Sequence, residues 1–310
     1  MQFFAGPLKE LAEYEEIQKK RTEKQGMIQI SGCVTSQKTH LMYALGDGFK
    51  RKIIAVSSEL KAKQIYEEYR FLDSDVWIYP AKDLLFYQAD LRGKFLIKQR
   101  MEVYQALLEQ EQVTVITSFD GFMDSLLPLE EMEKRVISLE AGQELDFENL
   151  KKDMVRLGYE REEQIEGPGQ FAVRGGILDI YPLTEEVPVR IEMWGDEIDS
   201  IRTFDVESQR SIENLESIRI YPATDFPEEQ AKRVSFLDYL DKKTSMLFLD
   251  EPVRLIEKGE SVEEEFVQAQ ANRMECGYTV SDEEMKLFST KEIADKMNQY
   301  YSICLLYTSD

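Results

Sequence analysis

The sequence predicts an α/β fold in which a parallel-sheet domain is interrupted by a mostly antiparallel α+β segment. Three observations predict it. Towards both ends of the chain, short apolar runs are accompanied by helical patterns, which is typical of crossover units on a parallel sheet. Between these parts, runs of strand length follow one another with glycine turns and little helix, which is typical of antiparallel strands. The length of 310 residues is enough for two domains.

The first part of the predicted α/β domain is residues 27–128, and a short charged helix is expected before it, within residues 1–26. Ser58 precedes the clearest amphipathic pattern and is expected to cap that helix. A further helical pattern covers Leu96–Glu111. The runs of strand length are Met27–Ile30, Lys52–Val56, Val76–Tyr79 and Val113–Ile116.

Residues 129–225 are the predicted insert. A helical pattern covers Phe147–Leu157, and the dipeptide Gly195-Asp196 predicts the turn of a hairpin. The strand-like runs of the insert are Phe171–Arg174, Ile177–Tyr181, Val189–Trp194, Ile198–Phe204 and Ile218–Tyr221.

Residues 226–302 return to the α/β pattern, with an apolar strand at Met246–Leu249 and an acidic helical stretch after it. Residues 303–310 complete no recognisable element. We expect them to be a truncated end or a foreign tail without a structural role.

Composition favours a protein partner over nucleic acid. The chain has 38 Lys and Arg against 60 Asp and Glu, a net charge of −22, which repels phosphates unless basic residues are concentrated locally. No apolar run approaches the ~20 residues that cross a bilayer, so we expect no membrane contact. Three separated cysteines favour a cytoplasmic location without a disulfide framework. The single histidine, His40, excludes a histidine-rich metal centre, and we expect no metal site.

The octapeptide from Gly32 to Thr39 resembles a phosphate-binding loop, because it lies between an apolar strand and a predicted helix at Thr39–Leu45. Gly32, Lys38 and Thr39 fit the pattern, whereas Gln37 stands where the second glycine would let backbone amides close around phosphates. Lys38 could reach a phosphate and Thr39 a magnesium ion. The alternative is a relic loop at the start of a helix.

Asp250 and Glu251 follow the apolar strand of the last part. Many nucleotide hydrolases present a magnesium-binding acid and a water-activating acid in this way. With Lys38 and Thr39, these acids would form a nucleotide-hydrolase site. The alternative is a pair of structural carboxylates at a strand end.

The insert carries a cationic and aromatic pattern. If Arg190 lies on a strand, Glu192 and Trp194 point to the same side of the sheet. Arginine beside a large amphipathic ring is the pairing found most often in binding hot spots. The alternative is a core tryptophan with solvated arginines.

The stretch from Gly169 to Arg210 closely resembles the amino-terminal module of the bacterial transcription-repair coupling factor family (Mfd), which is itself similar to the excision-repair subunit UvrB. The coarse architecture agrees over nearly the whole chain. The resemblance rests on Arg174-Gly175, Asp179, Pro182, Arg190, the run from Gly195 to Ser200, and Ser208-Gln209-Arg210.

The resemblance implies a split RecA-like domain with a degenerate phosphate loop, interrupted by a domain that docks on the damage-sensing protein UvrA. The family's two docking arginines and one aromatic carry over onto Arg174, Arg190 and Trp194, although relatives commonly have Phe at the third position. The implied function is an adaptor that recruits UvrA to stalled RNA polymerase in transcription-coupled nucleotide excision repair.

The resemblance also implies that ATPase activity is lost in this module. No catalytic residue and no cofactor is then expected here, and any bound ATP or magnesium would not lead to hydrolysis. RNA polymerase and DNA would bind to further domains of the longer protein. Gly32, Lys38, Thr39, Asp250 and Glu251 would then be a vestigial nucleotide-binding set. Two alternatives remain open: a nucleotide hydrolase that uses Lys38, Thr39, Asp250 and Glu251, and direct DNA binding by the insert.

Overall fold

A computed structural model describes residues 5–10, 12–23, 27–82, 91–224, 232–275 and 287–307. The chain divides into two compact units. The sheet unit comprises Met1–Tyr87, Glu109–Pro128 and Pro227–Asp310, and the insert unit comprises Gln88–Leu108 and Leu129–Phe226. The boundary predicted at residues 225 and 226 lies outside the described residues.

The helices are α1 (Ala12–Glu23), α2 (Thr35–Leu45), α3 (Glu59–Tyr69), α4 (Leu91–Glu109), α5 (Phe119–Met123), α6 (Leu129–Glu133), α7 (Phe147–Arg156), α8 (Pro252–Glu275) and α9 (Thr290–Met297). The strands are β1 (Met27–Ser31), β2 (Arg51–Val56), β3 (Val76–Tyr79), β4 (Val113–Ser118), β5 (Ile137–Glu140), β6 (Glu160–Arg161), β7 (Gln170–Arg174), β8 (Ile177–Tyr181), β9 (Val189–Trp194), β10 (Glu197–Phe204), β11 (Ser211–Leu215), β12 (Ser217–Ile220), β13 (Ser245–Asp250) and β14 (Tyr301–Leu306).

The sheet unit contains a six-stranded parallel sheet in the order β1-β14-β13-β2-β4-β3. Strands β2 and β4 are buried almost throughout, as expected for central parallel strands rich in Val and Ile. As predicted, Ser58 caps α3, since its hydroxyl oxygen accepts a bond from the Lys61 N–H at 3.3 Å. The core joins strand and helix residues, among them Met42, Leu45, Ile54, Val56, Tyr69, Ile116 and Phe248.

The end of the chain corrects the prediction of a tail without a structural role. Strand β14 lies between β1 and β13, and Ile303, Cys304 and Leu305 are buried in the sheet. A six-residue apolar run has no period that distinguishes a buried strand from an unstructured end. Its role follows only from the neighbouring strands, which the local sequence does not reveal. Residues 308–310 lie outside the described residues.

The insert unit contains a second six-stranded sheet in the order β11-β10-β9-β8-β7-β6, antiparallel except for the β6–β7 pair. Strands β5 and β12 form a separate antiparallel pair. The predicted hairpin is confirmed, because Trp194 pairs with Glu197 across Gly195 and Asp196. Gly195 has a φ of 65°, which glycine adopts without steric cost.

One side of this sheet packs on α7, the helix predicted at Phe147–Leu157. Asp146 caps that helix by accepting the Asn149 N–H at 3.0 Å. Leu150 and Met154 of α7 are buried against the sheet residues Phe171, Leu178, Ile180, Val189, Ile191 and Ile201. Alternation along the strands therefore turns their other residues to the opposite side of the sheet.

Helix α4 corrects a domain assignment. The sequence places it in the α/β segment 27–128, whereas most of it belongs to the insert unit. Two lysines explain the difference: Lys94 pairs with Glu160 at 2.7 Å and Lys98 with Glu186 at 3.2 Å. Such contacts between distant parts of the chain leave no trace in the local pattern. Among the described helices, none is long and apolar enough to cross a membrane.

Candidate docking face and phosphate-loop region

The outer face is the side of the insert sheet that faces away from α7, and it carries Arg174, Asp179, Arg190, Glu192, Trp194 and Arg202. Register fixes this arrangement, because Asp179 lies opposite Arg190, which in turn lies opposite Arg202. The prediction that Arg190, Glu192 and Trp194 share one side of the sheet is confirmed. Val189 and Ile191 of the same strand point into the core.

Trp194 lies at the end of β9, beside the hairpin turn, and 82% of its surface is exposed. The alternative of a core tryptophan is therefore wrong. An exposed ring of this size is available for contact with another molecule.

Asp179 joins the two predicted docking arginines. Its carboxylate is buried and accepts from Arg190 Nε at 2.6 Å, from Arg190 Nη2 at 2.9 Å and from Arg174 Nη2 at 2.8 Å. Both guanidiniums are thus bonded inside the chain. Asp179 is part of the family resemblance, but its sequence pattern predicts no role for it. A lone acid within the apolar run Ile177–Tyr181 was the available signal.

Arg190 is held on several sides. Its Nη2 also donates to Gln209 Oε1 at 2.8 Å, and its guanidinium carbon lies 4.4 Å from the centre of the buried Phe204 ring. The bonds to Asp179 raise the pKa of Arg190 above its ordinary value. Only 14% of the side chain is exposed, so the alternative of a solvated arginine does not describe Arg190.

Arg174 differs from Arg190 in exposure. Its side chain is 52% exposed, and no second partner for it occurs among the described residues. One of the five guanidinium N–H donors is used, so four are available to an acceptor outside the chain. Nearby, Glu192 pairs with Arg202. The outer face therefore presents one accessible cation in the same sheet surface as the exposed indole.

In the phosphate-loop region, helix α2 begins at Thr35, four residues earlier than predicted. The N–H of Lys38 is bonded within the helix to the Val34 carbonyl at 3.0 Å. The N–H of Val34 donates to Gln37 Oε1 at 3.3 Å. Gln37 thus occupies a backbone N–H at the start of the helix, whereas a glycine at this position would leave that N–H available to a phosphate.

The Lys38 cluster comprises Lys38, Lys61, Asp250 and Glu251. The sequence predicts that Lys38, Asp250 and Glu251 lie together, and the fold adds Lys61. Lys38 Nζ lies 2.7 Å from Asp250 Oδ1 and 2.5 Å from Glu251 Oε1, and Lys61 Nζ lies 3.0 Å from Asp250 Oδ2. Burial alone lowers the pKa of Lys38, but the bonds to both acids outweigh burial and raise that pKa. The cluster is an internally compensated set of two cations and two anions.

Glu251 adopts a φ of 55°, a left-handed conformation that costs a residue other than glycine about 1–2 kcal/mol. Its carboxylate accepts from Lys38 and, at 2.5 Å, from the Tyr307 N–H. These two bonds offset the conformational cost and hold Glu251 towards Lys38.

Thr39 does not belong to the Lys38 cluster. Its hydroxyl donates to Glu68 of α3 at 2.7 Å, and Thr39 is buried. Gly32 has a φ of 82° and ends β1 in a sharp turn. A cavity of about 300 Å³ lies over the Lys38 cluster and is also lined by Thr35, Gln64 and Arg254. The described residues contain no group of three or more His, Cys, Asp or Glu side chains arranged to hold a metal ion.

Comparison with protein families assigns the insert. Residues 137–226 match the UvrB interaction domain family. This stretch includes all strands from β5 to β12 and therefore the whole outer face. Asp179, Arg174, Arg190 and Trp194 all lie inside it.

Comparison with curated proteins finds transcription-repair-coupling factors. The chain is 33% identical over 215 residues to that of Bacillus subtilis, covering 67% of this chain and 18% of the relative. It is 37% identical over 154 residues to that of Staphylococcus epidermidis, covering 50% and 13%, and 35% identical over 158 residues to that of Staphylococcus aureus, covering 51% and 13%. The chain thus spans less than a fifth of the length of these relatives.

Proposed function

On the premise that the chain is homologous to the transcription-repair-coupling factors and carries a UvrB interaction domain, we propose that it is an adaptor module that docks on UvrA. The outer face of the insert unit is the docking surface. In the longer protein, this contact would bring UvrA to a stalled RNA polymerase in transcription-coupled nucleotide excision repair.

The exposed Trp194 is the observation that carries the proposal. An indole that is 82% exposed, in the same surface as the half-exposed guanidinium of Arg174, combines apolar area with a directional cation. Burial of such a ring supplies affinity, and charge-assisted bonds from arginine to a carboxylate set orientation. The partner surface that fits is an apolar pocket with an acid at its rim.

The sheet unit, in this proposal, is a RecA-like domain whose phosphate loop no longer serves hydrolysis. Lys38 is bonded to Asp250 and Glu251, Thr39 to Glu68, and Gln37 closes the helix start. A nucleotide would have to displace these bonds before Lys38 could reach a phosphate. The hydrolase alternative is therefore disfavoured, and we propose that this chain uses neither ATP nor magnesium for catalysis.

Contacts with RNA polymerase and DNA belong, in the proposal, to parts of the longer protein that this chain does not include. The net charge of −22 disfavours direct DNA binding by the insert, because the chain as a whole repels phosphates. A cytoplasmic location agrees with the free, buried thiols of Cys33 and Cys304.

Calorimetric titration of purified UvrA with the full chain tests the proposal. The wild-type chain should bind, and Trp194→Ala should weaken binding by about 2 kcal/mol, or roughly 30-fold, as a hot-spot residue does. Trp194→Phe should keep most of the affinity, since Phe fills a similar apolar pocket.

Folding provides the control for this titration. Because Trp194 is exposed, Trp194→Ala should change the free energy of unfolding by less than about 0.5 kcal/mol. Absence of binding by the wild-type chain at two temperatures, or equal affinity of the wild type and Trp194→Ala, would reject the outer face as the UvrA site.

A further inference from the structure

We propose that Asp179 is a positioning residue for the outer face. It fixes Arg190 below the surface and holds Arg174 by one edge, so that the remaining donors of Arg174 meet the partner. This inference rests on the proposed docking of UvrA and assigns different roles to the two arginines.

The place of Asp179 in the sheet makes such a role possible. It lies on β8, between β7 and β9, and only 2% of the residue is exposed. Arg190 is directly opposite on β9, and Arg174 is the diagonal neighbour on β7, two residues beyond Ala172. Directly opposed and diagonal residues are both within reach of long side chains.

Both oxygens of the Asp179 carboxylate accept hydrogen bonds inside the chain. Oδ1 accepts from Arg190, and Oδ2 accepts from both Arg190 and Arg174. A buried acid in this state cannot itself bond to a partner protein. Its effect on binding must therefore pass through the two guanidiniums that it orients.

Arg190 acts as a support rather than as a contact. Asp179, Gln209 and the Phe204 ring hold its guanidinium, and most of its side chain is covered. Loss of Arg190 would leave Asp179 with a single bond, to Arg174, and with a buried, partly unpaired charge. Substitution of Arg190 would then weaken docking although Arg190 contributes little contact of its own.

The same geometry defines the charge that the partner meets. Asp179 neutralises one of the two guanidinium charges, and Glu192 neutralises Arg202. One positive charge on the outer face is left without a compensating acid, and it lies on the most exposed of the three arginines, Arg174. The complementary surface is a single carboxylate next to an apolar pocket, rather than a broad acidic patch.

Substitution of Asp179 in the full chain tests the inference by calorimetric titration of UvrA. Asp179→Asn keeps the shape but removes the charge, and Asp179→Glu keeps the charge but displaces it by one methylene. Each should weaken binding at least tenfold. Asp153→Asn is the matched control, because it makes the same change at an arginine-paired acid on α7, on the opposite side of the sheet from the outer face; it should change affinity less than threefold.

Nuclear magnetic resonance of the arginine Nε–H groups reports directly on the bond between Arg190 and Asp179, and circular dichroism controls for folding. In the wild-type chain the Arg190 Nε–H should exchange slowly with solvent and be shifted by its bond to Asp179 and by the Phe204 ring. In Asp179→Asn and Asp179→Glu the signal should move towards that of free arginine, while circular dichroism stays unchanged.

The outcomes separate the inference from the proposed function. If the wild-type chain does not bind UvrA, the proposed function fails, and the docking role of Asp179 fails with it. If the wild type binds and both Asp179 variants bind equally well, the inference alone is overturned. A free-arginine signal for Arg190 in the wild-type chain also overturns it, even if one of the variants does not fold.

Discussion

Trp194, Arg174 and Arg190 differ in how much of each side chain is left for a partner. The indole is almost fully exposed, Arg174 is about half exposed, and Arg190 is mostly covered by Asp179, Gln209 and Phe204. Contact energy at a docking surface comes from exposed groups such as the first two, whereas a covered group such as the third offers little contact of its own. In the proposed docking, these three residues would therefore have distinct physical tasks.

Lys38 provides a prediction at the residue scale. Lys38→Met removes the cation from Asp250 and Glu251, which are themselves shielded from solvent, and should lower the free energy of unfolding by about 1–3 kcal/mol. Lys61→Met is the control: Lys61 is more exposed, and its loss should cost less than about 1 kcal/mol. Urea unfolding followed by circular dichroism measures both.

Nucleotide adds a second arm to the same experiment. A ligand that binds the folded chain raises its stability. With 1 mM Mg·ATP present, the unfolding midpoint of the wild type should not change. A rise in the midpoint that disappears in Lys38→Met would contradict the proposed loss of function and favour the hydrolase alternative.

At the residue scale, the sequence predicts which side chains lie near one another, but it does not predict their hydrogen bonds. Period-2 alternation is enough to place Arg190, Glu192 and Trp194 on one side of a strand. The bonds of Lys38 to Asp250 and Glu251 agree with the predicted pairing of the two segments. The bonds of Asp179 to Arg174 and Arg190 could not be predicted from alternation, because they depend on the register of three strands.

At the scale of elements, the space around a helical glycine determines whether alanine can replace it, as Gly259 of α8 and Gly93 of α4 illustrate. A Cβ at Gly259 would lie 2.5 Å from a ring carbon of Phe119 and 2.6 Å from the hydroxyl of Thr290. Phe119 is fully buried and cannot move aside freely. Gly93 of α4, by contrast, has open space where a Cβ would be added.

Two alanine substitutions test this packing. Gly259→Ala should lower stability by about 1–3 kcal/mol, because overpacking outweighs the gain of about 1 kcal/mol in helix propensity. Gly93→Ala should raise stability by up to about 1 kcal/mol, since only the propensity changes. Calorimetric unfolding of the two variants beside the wild type gives the comparison. Equal shifts in the same direction would contradict the close approach at Gly259.

An element is predictable from sequence when residues close to it in the chain determine it. The hairpin at Gly195 and the Ser58 cap lie in short stretches of sequence, and both predictions are confirmed. The Asp146 cap is equally local but was not predicted. The early start of α2 was missed because Gln37 replaces a loop-forming glycine with a residue that caps. Strand β14 was missed because its burial comes from two strands distant in the sequence.

For the whole molecule, charge and surface chemistry are unevenly distributed. The chain carries a net charge of −22, yet the outer face offers an accessible arginine and an exposed indole. An acidic protein with one such face is suited to a specific protein partner, while it is repelled by bare nucleic acid. The family match of residues 137–226 covers the same face.

The most direct test of this account is the accessibility of Trp194 in the presence of UvrA. The chain has two tryptophans, so a Trp77→Phe variant grown with 5-hydroxytryptophan carries a single label that can be excited apart from the tryptophans of UvrA. The account predicts that acrylamide quenches this label strongly in the free chain and several-fold less once UvrA is bound. Unchanged quenching at saturating UvrA would contradict it, because the indole would then remain in solvent within the complex.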